Sequence, residues 1–312
     1  MSIRYGGGAG RFVRVDGVPL HVVVEGRGPV ALLDAGLAMA WFDWDAVAAL
    51  LVAQGRTVVR FDRPGHGLSA SAAAPPTAAG EAHRIAGLLD ALGLTDSPTH
   101  PVGGPVTGPV TGPVTGPVTV VGHSIAGFHA EAFARLYPQR TAALVLLDSS
   151  VEEAPRTVLP AALRTGAARA VGRALTAAGL PAALGPLARR LTVRASRTGG
   201  GDPAARELVR RCYRTGRVWR GALLENSRYP DMAAEVLALR ETHPLTAPAT
   251  VLACHDGSSG RGALRWLARQ ADLAARLGAR FEVAEPAGHL VMLDRPAQVA
   301  RAVRTAAGQP RA

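Results

Sequence analysis

The sequence predicts an α/β protein in which a mostly parallel eight-stranded sheet is flanked by helices and carries one inserted helical cap. Two observations support this prediction. Short runs rich in β-branched residues alternate with helical patterns over most of the chain, which is typical of a parallel sheet wrapped by helices. The alternation breaks once, after Asp148, where only helical periodicity continues. The 312 residues, 48% of them hydrophobic, are enough to bury a substantial core.

The predicted elements follow one another in a regular order. An opening hairpin joins residues 12–15 to residues 20–24 through a turn at Asp16-Gly17. Further strands are predicted at residues 30–34, 57–61, 118–122, 143–147, 249–253 and 280–284. Helices between and after them are predicted at residues 43–54, 78–92, 125–137, 262–277 and 296–307.

The break in the alternation defines the predicted domains. Residues 1–150 and 244–312 form the core, and residues 151–243 form the cap. Apolar positions within the cap recur every four residues, as on one face of a helix: Leu163, Ala167, Val171 and Leu175. A glycine-rich stretch, RTGGGDP, separates this helical pattern from the next.

The predicted cap carries most of the positive charge of the chain. It contains 16 arginines against 8 Asp and Glu residues, a net charge of +8 out of a total of +11. These arginines could attract an anionic acyl carrier, such as a coenzyme thioester, or an acidic substrate. All 35 basic residues are arginine, however, which is typical of a sequence written with GC-rich codons. The alternative is therefore that these arginines lie on solvated helix faces and bind no partner.

Residues 104–119 form a low-complexity segment of four GPVT repeats that runs into a predicted strand. Proline at every fourth position removes backbone donors and excludes a central strand. The repeat lies at the amino end of the strand, whereas Ser124 follows its carboxyl end. We therefore expect an exposed loop that tolerates tandem duplication and lies away from any site at Ser124, with a docking segment for a partner as the alternative.

Composition argues against several other classes of protein. The two cysteines, Cys212 and Cys254, lie far apart without metal-ligand spacing, which disfavours a disulfide framework and a structural zinc site. We expect no metal and no organic cofactor. No apolar run reaches the roughly 18 residues of a membrane span, and no signal peptide pattern is present, so a cytoplasmic protein is expected. Nucleic-acid binding is not expected, because no basic run is interleaved with aromatic residues, and an arginine-rich nucleic-acid binder is kept only as the weaker alternative.

The segment Gly122-His123-Ser124-Ile125-Ala126-Gly127 lies between a predicted strand and a predicted helix. A serine on such a tight turn exposes its hydroxyl, and the first N–H of the helix points to where a carbonyl oxygen would gather charge. A glycine-rich turn that only joins the two elements would look the same in isolation. A catalytic role therefore needs a base elsewhere in the chain.

His289 is the predicted base, because a serine hydroxyl needs a partner that takes its proton. It directly follows the last predicted strand, where a loop could bring its imidazole to Ser124. The other histidines have simpler interpretations. His255 is interpreted as a polar loop residue, His129 as a helix surface residue, and His123 as a neighbour of Ser124 whose side chain points away.

Four segments together resemble the α/β-hydrolase family from the first hairpin to the final helix. They are LDAGL at residues 33–37, FDRPGHGLS at residues 61–69, GHSIAG at residues 122–127, and GH with LDRP at residues 288–296. The resemblance implies that Ser124 is the nucleophile and His289 the general base, and that the N–H groups of Leu37 and Ile125 form the oxyanion hole. The oxyanion loop has Ala35-Gly36 where the family usually has His-Gly. Residues 62–69 are interpreted as a structural turn that supports the site and does not react.

Two carboxylates compete for the third place in the implied catalytic triad. Most family members carry the acid after the seventh strand, close to Asp256, although the alignment is one residue short there. Some carry it after the sixth strand, where Asp148 ends an apolar run. Either residue could orient the imidazole. We favour Asp256 and keep Asp148 as the alternative acid.

The sequence thus predicts a serine hydrolase that acts on a carboxylic ester or related acyl substrate, neutral or anionic. A serine nucleophile disfavours the relatives that use aspartate, the haloalkane dehalogenases and epoxide hydrolases. Carboxylesterase, thioesterase, C–C bond hydrolase and cofactor-free haloperoxidase stay open, since fold alone does not choose among them. The alternative from another class is a small-molecule binding protein on the same fold with little or no turnover.

Overall fold

The computed structural model describes residues 3–5, 8–94 and 116–308. Residues 104–115 of the GPVT segment lie outside the described residues, so the exposed repeat loop stays a prediction. The described chain resumes at Gly116 and enters a strand at Val118.

Among the described residues, nine strands pair into a continuous sheet in the order β1-β2-β3-β5-β4-β6-β7-β8-β9. The strands are β1 (Ile3–Tyr5), β2 (Gly8–Val15), β3 (Val18–Glu25), β4 (Val30–Asp34), β5 (Thr57–Phe61), β6 (Val118–His123), β7 (Thr141–Leu147), β8 (Ala249–Cys254) and β9 (Arg280–Ala284). Strands β2 to β9 are the predicted eight-stranded sheet, which is confirmed, and the short β1 extends its edge. β2 and β3 pair in antiparallel fashion, β3 pairs antiparallel with β5, and β4 to β9 run parallel.

Ten α-helices accompany the sheet in the described part of the chain. They are α1 (Asp45–Ala53), α2 (Ala78–Ala91), α3 (Ala126–Leu136), α4 (Ala161–Ala177), α5 (Leu180–Ala195), α6 (Arg206–Tyr213), α7 (Gly216–Thr242), α8 (Arg261–Leu277), α9 (Val291–Asp294) and α10 (Pro296–Ala306). One face of the sheet packs against α2, α3 and α8, and the opposite face packs against α1 and α10.

The apolar runs of the sequence become central strands because both of their faces are covered. Leu32 and Val120 enter the hydrophobic core on one face of the sheet, whereas their neighbours Leu33 and Val121 enter the core on the other face. Every residue of β4, β5, β6 and β8 is buried. A parallel strand covered on both faces needs apolar residues at successive positions, which explains continuous runs rather than alternation.

The break in the alternation corresponds to helices α4 to α7, which connect β7 to β8. We refer to residues 151–243 as the helical insertion. α4 packs against α7, α5 packs against α6, and α7 also reaches the core helices α2 and α3. On α4, Leu163 and Val171 of the four-residue apolar stripe lie at the surface, 60% and 48% exposed. No helix within the described residues has the length and apolar character to cross a membrane.

Candidate active site

Ser124 lies on the turn between β6 and α3 with φ of 55°, in the left-handed region that a non-glycine residue seldom adopts. Only glycine fits on either side of this turn. A Cβ on Gly122 would lie 2.4 Å from the carbonyl oxygen of Ala126, and a Cβ on Gly127 would lie 1.9 Å from the Oγ of Ser149. These two glycines let β6 and α3 approach closely enough to hold the Ser124 side chain at the carboxyl edge of the sheet.

Three side chains form a continuous chain of hydrogen bonds at this edge. The Nε2 of His289 lies 3.0 Å from the Oγ of Ser124, and the Nδ1 of His289 lies 2.6 Å from an Oδ of Asp148. His289 is in the loop after β9, and Asp148 directly follows β7. The imidazole is therefore held between the hydroxyl and the carboxylate, with one ring nitrogen facing each.

Asp148 is fixed by donors from two other elements. Its buried carboxylate accepts the backbone N–H of Cys254 at 3.0 Å and the indole N–H of Trp266 at 2.8 Å, both on the oxygen that His289 does not use. Its backbone also lies in the left-handed region, with φ of 40°. The carboxylate thus has one oxygen held by α8 and the end of β8, and the other directed at the imidazole.

Of the two candidate acids, the structure brings Asp148 and not the favoured Asp256 into contact with His289. Asp256, the favoured candidate, lies in an exposed turn beyond β8 and has no hydrogen bond to His289 among the described residues. Its carboxylate instead accepts the backbone N–H of Ser258 at 2.9 Å, and hydrogen bonds from Ser258 lower the pKa of Asp256. The physical reason is the direction of the chain, since β8 ends at Cys254 and its continuation leads Asp256 into solvent.

Leu37 and Ile125 present unused backbone donors beside Ser124. Neither backbone N–H donates to another residue in the described part of the chain. Ile125 immediately precedes α3, where helix N–H groups favour negative charge. A Cβ on Gly36 would lie 3.2 Å from the Cβ of Ser124, so the loop that carries Leu37 packs directly against the serine.

Arg63 holds this loop in place. Its buried guanidinium donates to the carbonyl oxygens of Ala35 and Gly36 and to the carboxylate of Asp34. It also donates two hydrogen bonds, of 2.8 and 3.0 Å, to Glu225 on α7. Burial opposes the charge on Arg63, but the two carboxylates outweigh it and raise the pKa of the guanidinium. Arg63 therefore braces the loop that lacks the histidine of the usual His-Gly pair.

His123 anchors the loop that carries His289, a role that sequence reasoning missed. The Nε2 of His123 lies 2.8 Å from the backbone carbonyl oxygen of His289. Burial, together with the nearby imidazole of His289, lowers the pKa of His123 to about 3. His123 is thus neutral near pH 7 and donates this hydrogen bond. The prediction for His129 was also wrong, because its ring is buried on α3 with Nδ1 3.3 Å from Asp34.

The helical insertion contacts the same loop from the other side. The hydroxyl of Tyr213 donates a 2.6 Å hydrogen bond to the carbonyl oxygen of Ala38. The buried guanidinium of Arg189 pairs with Asp43 in the core and, at 3.0 Å, with Asp202 in the insertion. Burial opposes the charge on Arg189, but Asp43 outweighs it and holds its pKa well above the ordinary value.

A cavity of about 330 Å³ opens between this loop and the helical insertion. Its lining comes from the loop and from α5, α6 and α7, and is largely apolar: Leu37, Ala38, Met39, Gly185, Ala188, Arg189, Thr192, Val193, Tyr213, Val218, Trp219, Ala222, Leu223 and Asn226. Within the described residues, no cluster of His, Cys, Asp and Glu side chains is arranged to hold a metal ion.

The fold, with its serine on the turn between β6 and α3, defines the class of α/β hydrolase folds. The chain belongs to the alpha/beta hydrolase family, whose model matches residues 31–302. A search among curated proteins returned no match.

Solved structures agree with this family over nearly the whole chain. Cfl2 from Burkholderia cenocepacia is 22% identical, with a TM-score of 0.71 and coverage of 96% of this chain and 95% of that protein. A thermophilic esterase from Thermogutta terrifontis is 23% identical, with a TM-score of 0.64 and coverage of 95% and 96%. A provisionally named epoxide hydrolase from Pseudomonas aeruginosa is 21% identical, with a TM-score of 0.67 and coverage of 96% and 98%. At these identities the similarity establishes the fold.

Proposed function

We propose that this protein is a serine hydrolase that cleaves a carboxylic ester or related acyl substrate through Ser124, His289 and Asp148. The observation that carries the proposal is the continuous chain of hydrogen bonds from the Ser124 hydroxyl through the imidazole to the Asp148 carboxylate. A hydroxyl next to an oriented base is the arrangement that nucleophilic catalysis requires.

In the proposed reaction the Oγ of Ser124 attacks the acyl carbonyl carbon while the Nε2 of His289 takes its proton. Asp148 keeps Nδ1 protonated and stabilises the imidazolium without taking the proton itself. The N–H groups of Leu37 and Ile125 donate to the oxyanion. The imidazolium then protonates the leaving alcohol or thiol, which leaves an acyl-enzyme. Water, deprotonated by His289, releases the acid and regenerates Ser124.

The helical insertion serves as the cap of this site in the proposal. It supplies most of the lining of the 330 Å³ cavity, whose remaining wall is the loop that presents the Leu37 N–H. Ser124 does not itself line this cavity, but the loop between them packs against Ser124, so the mostly apolar space suits the acyl chain or an apolar alcohol group of the substrate. The cavity volume corresponds to the lower part of the range of about 300–1,000 Å³ common for small-molecule sites.

A serine at the nucleophile position favours acyl transfer over epoxide opening. Members of the fold that open epoxides or cleave carbon–halogen bonds attack with an aspartate, and Ser124 occupies that place here. Among the neighbours in fold, the esterase is therefore the more relevant guide to chemistry. Ester and thioester substrates share the same first step, so the choice between them rests on the leaving group.

The proposal is tested by intact-mass spectrometry after incubation with a fluorophosphonate probe. We expect one adduct on the wild type and none on Ser124→Ala. Folded wild type that takes no adduct would contradict the hydrolase and favour a binding protein on the same fold. Hydrolysis of p-nitrophenyl esters and acyl thioesters of increasing chain length then ranks the substrates.

The identity of the acid is tested with a matched pair of variants. We expect Asp148→Asn to lower kcat by about a thousandfold or more, because the imidazole loses the partner that fixes its tautomer. Asp256→Asn is the control, and we expect it to retain the kcat of the wild type since its carboxylate lies in solvent. If Asp256→Asn lost kcat and Asp148→Asn did not, Asp256 would be the acid of the triad.

A further inference from the structure

The helical insertion exposes an unusual number of large apolar side chains. The described residues expose eleven such side chains, and seven of them lie within residues 158–191: Val158, Leu159, Leu163, Val171, Leu184, Leu187 and Leu191. Single exposed apolar residues are ordinary, but a concentration on adjoining elements marks an interaction surface. On α5 the three leucines are spaced at i, i+3 and i+7, so they share one face of the helix, which we call the leucine face.

The opposite face of α5 lines the cavity of the candidate active site. Gly185, Arg189 and Val193 lie on that face and contribute to the lining, whereas the three residues of the leucine face are 46%, 54% and 57% exposed. α5 is therefore a wall one helix thick, with the cavity on one side and an uncovered apolar stripe on the other. Because about half of each of these leucines is already exposed, a polar substitution there removes less buried apolar contact than one in the core would.

Positive charge without matching negative charge surrounds the leucine face. Residues 154–201 contain eight arginines and no Asp or Glu. Beside α5, a groove of about 460 Å³ is lined by four arginines, which we call the arginine groove: Arg190, Arg206, Arg210 and Arg214. None of the four forms an ion pair with a carboxylate in the described part of the chain. Three of them recur at four-residue spacing, so their charges face the same groove.

The leucine face and the arginine groove together indicate what kind of partner could bind this surface. A symmetric second copy of the chain would bring arginines against arginines, with no carboxylate in residues 154–201 and only Glu207 on α6 to neutralise them. Leu187 lines the arginine groove, and Leu184 and Leu191 lie exposed beside it, so the partner must accept apolar and cationic side chains on one surface. An anionic bilayer meets both requirements, since aliphatic side chains enter the interface while arginines reach lipid phosphates.

We propose that the leucine face and the arginine groove dock this protein on an anionic phospholipid surface. Docking in this way would bring the wall of the cavity against the bilayer. The proposal concerns binding alone, so it is independent of whether Ser124 is catalytic.

Co-sedimentation of the full chain with phospholipid vesicles tests the docking surface. Vesicles of phosphatidylcholine with phosphatidylglycerol are compared with vesicles of phosphatidylcholine alone, at about 0.05 M and about 0.5 M NaCl. We expect roughly tenfold stronger binding to the anionic vesicles at low salt. Ser124→Ala should bind as the wild type does, which separates this result from the outcome for the proposed hydrolase.

Two variants test the apolar part and the charged part of the surface separately. Leu184→Gln/Leu187→Gln/Leu191→Gln and Arg190→Gln/Arg206→Gln/Arg210→Gln/Arg214→Gln should each weaken binding to anionic vesicles by roughly tenfold or more. The matched control removes four exposed arginines from α8 and α10: Arg261→Gln/Arg265→Gln/Arg301→Gln/Arg304→Gln. It should lose clearly less binding than the variant of the arginine groove, although it removes the same net charge.

Three results would overturn the proposal. Wild type that does not prefer anionic vesicles would exclude a lipid surface. If the leucine variant binds anionic vesicles as tightly as the wild type does, charge alone accounts for the binding and the leucine face takes no part in it. Wild type that sediments as a dimer without vesicles, together with a monomeric leucine variant, would assign the leucine face to self-association.

Discussion

In the proposed site, the indole of Trp266 is a positioning group that would act on the substrate only through Asp148 and His289. Its N–H is one of two donors that fix the carboxylate oxygen facing away from the imidazole. We expect Trp266→Phe to lower kcat by roughly tenfold, since a hydrogen bond to a charged group is lost, while KM changes little. Steady-state kinetics on a p-nitrophenyl ester measures both parameters.

Trp44→Phe is the matched control for this substitution. The indole N–H of Trp44 is buried and has no partner among the described residues, so its removal breaks no hydrogen bond. We expect Trp44→Phe to keep the kcat of the wild type. Equal losses in both variants would mean that Trp266 acts through packing and not through Asp148.

His123 makes the stability of the fold depend on pH in a defined window. Its pKa is about 3 in the folded chain, against an ordinary value of 6.5. Below pH 6.5 His123 is protonated in the unfolded chain but stays neutral in the folded chain. The free energy of unfolding therefore decreases as the pH falls from 6.5 towards 3. Between pH 7.5 and pH 5, the wild type should therefore lose about 2 kcal/mol more unfolding free energy than His123→Gln.

Urea unfolding at the two pH values measures this difference. The matched control is His83→Gln, which replaces an exposed histidine of α2 and leaves the contact between His123 and the loop of His289 intact. Parallel losses in wild type and His123→Gln would show that His123 does not resist protonation in the folded chain.

Individual site residues could be predicted from the sequence only where a local motif marks them. Ser124 and His289 lie in short patterns whose spacing fixes their places at the ends of β6 and β9. The acid was ambiguous because Asp148 and Asp256 follow neighbouring parallel strands at the same edge, and only the backbone direction distinguishes them. Trp266 lies 118 residues from Asp148 in the chain, so nothing local to its sequence reveals the hydrogen bond.

At the scale of elements, the loop between β4 and α1 depends on Arg63 of the neighbouring turn. A lysine would keep the charge but could not reach two carbonyl oxygens and two carboxylates at once. We expect Arg63→Lys to lower kcat by roughly tenfold, with a smaller change in KM, because the Leu37 N–H loses its fixed position. The rate of phosphonylation of Ser124 by the fluorophosphonate should fall in parallel.

Arg60→Lys is a close control for the same change. Arg60 is equally buried and pairs with Glu25 and Asp45, but it lies on β5 and does not contact the loop. Both variants should lose stability, measured as Tm, because each replaces a buried, doubly paired guanidinium and leaves its carboxylate partners poorly paired. Only Arg63→Lys should lose kcat beyond that common effect. Equal losses of kcat would indicate general loosening of the fold.

The sequence predicted the bounds of the strands more accurately than it predicted which face of each helix is covered by another element. Residues 30–34, 57–61 and 280–284 form strands with the predicted bounds, because the limits of an apolar run coincide with the limits of pairing. The hairpin strands β2 and β3 are longer than predicted, since backbone pairing continues past the apolar residues. Periodicity predicted a helix around Leu163 and Val171, but periodicity does not reveal which face another element covers.

At the scale of the whole molecule, the helical insertion carries most of the net charge and also supplies most of the lining of the cavity. It carries +8 of the net +11, and ion pairs within it redistribute this charge without changing the sum. A net positive field attracts anions over distances of about 10 Å at 0.1 M salt. We expect kcat/KM for an ester that carries a carboxylate to exceed that of its neutral isostere at low salt, and the ratio to fall by roughly threefold or more as salt rises.

Two variants of equal net charge locate the source of this field. Neutralising the arginine groove should reduce the preference for the anionic ester, because its charges adjoin the wall of the cavity. Neutralising the four arginines of α8 and α10 should reduce it less, since these helices lie outside the insertion. A preference that is insensitive to salt would instead indicate a direct contact in the cavity, where Arg189 is the nearest charged candidate. Equal rates for the two esters would leave the arginines without a role in substrate capture.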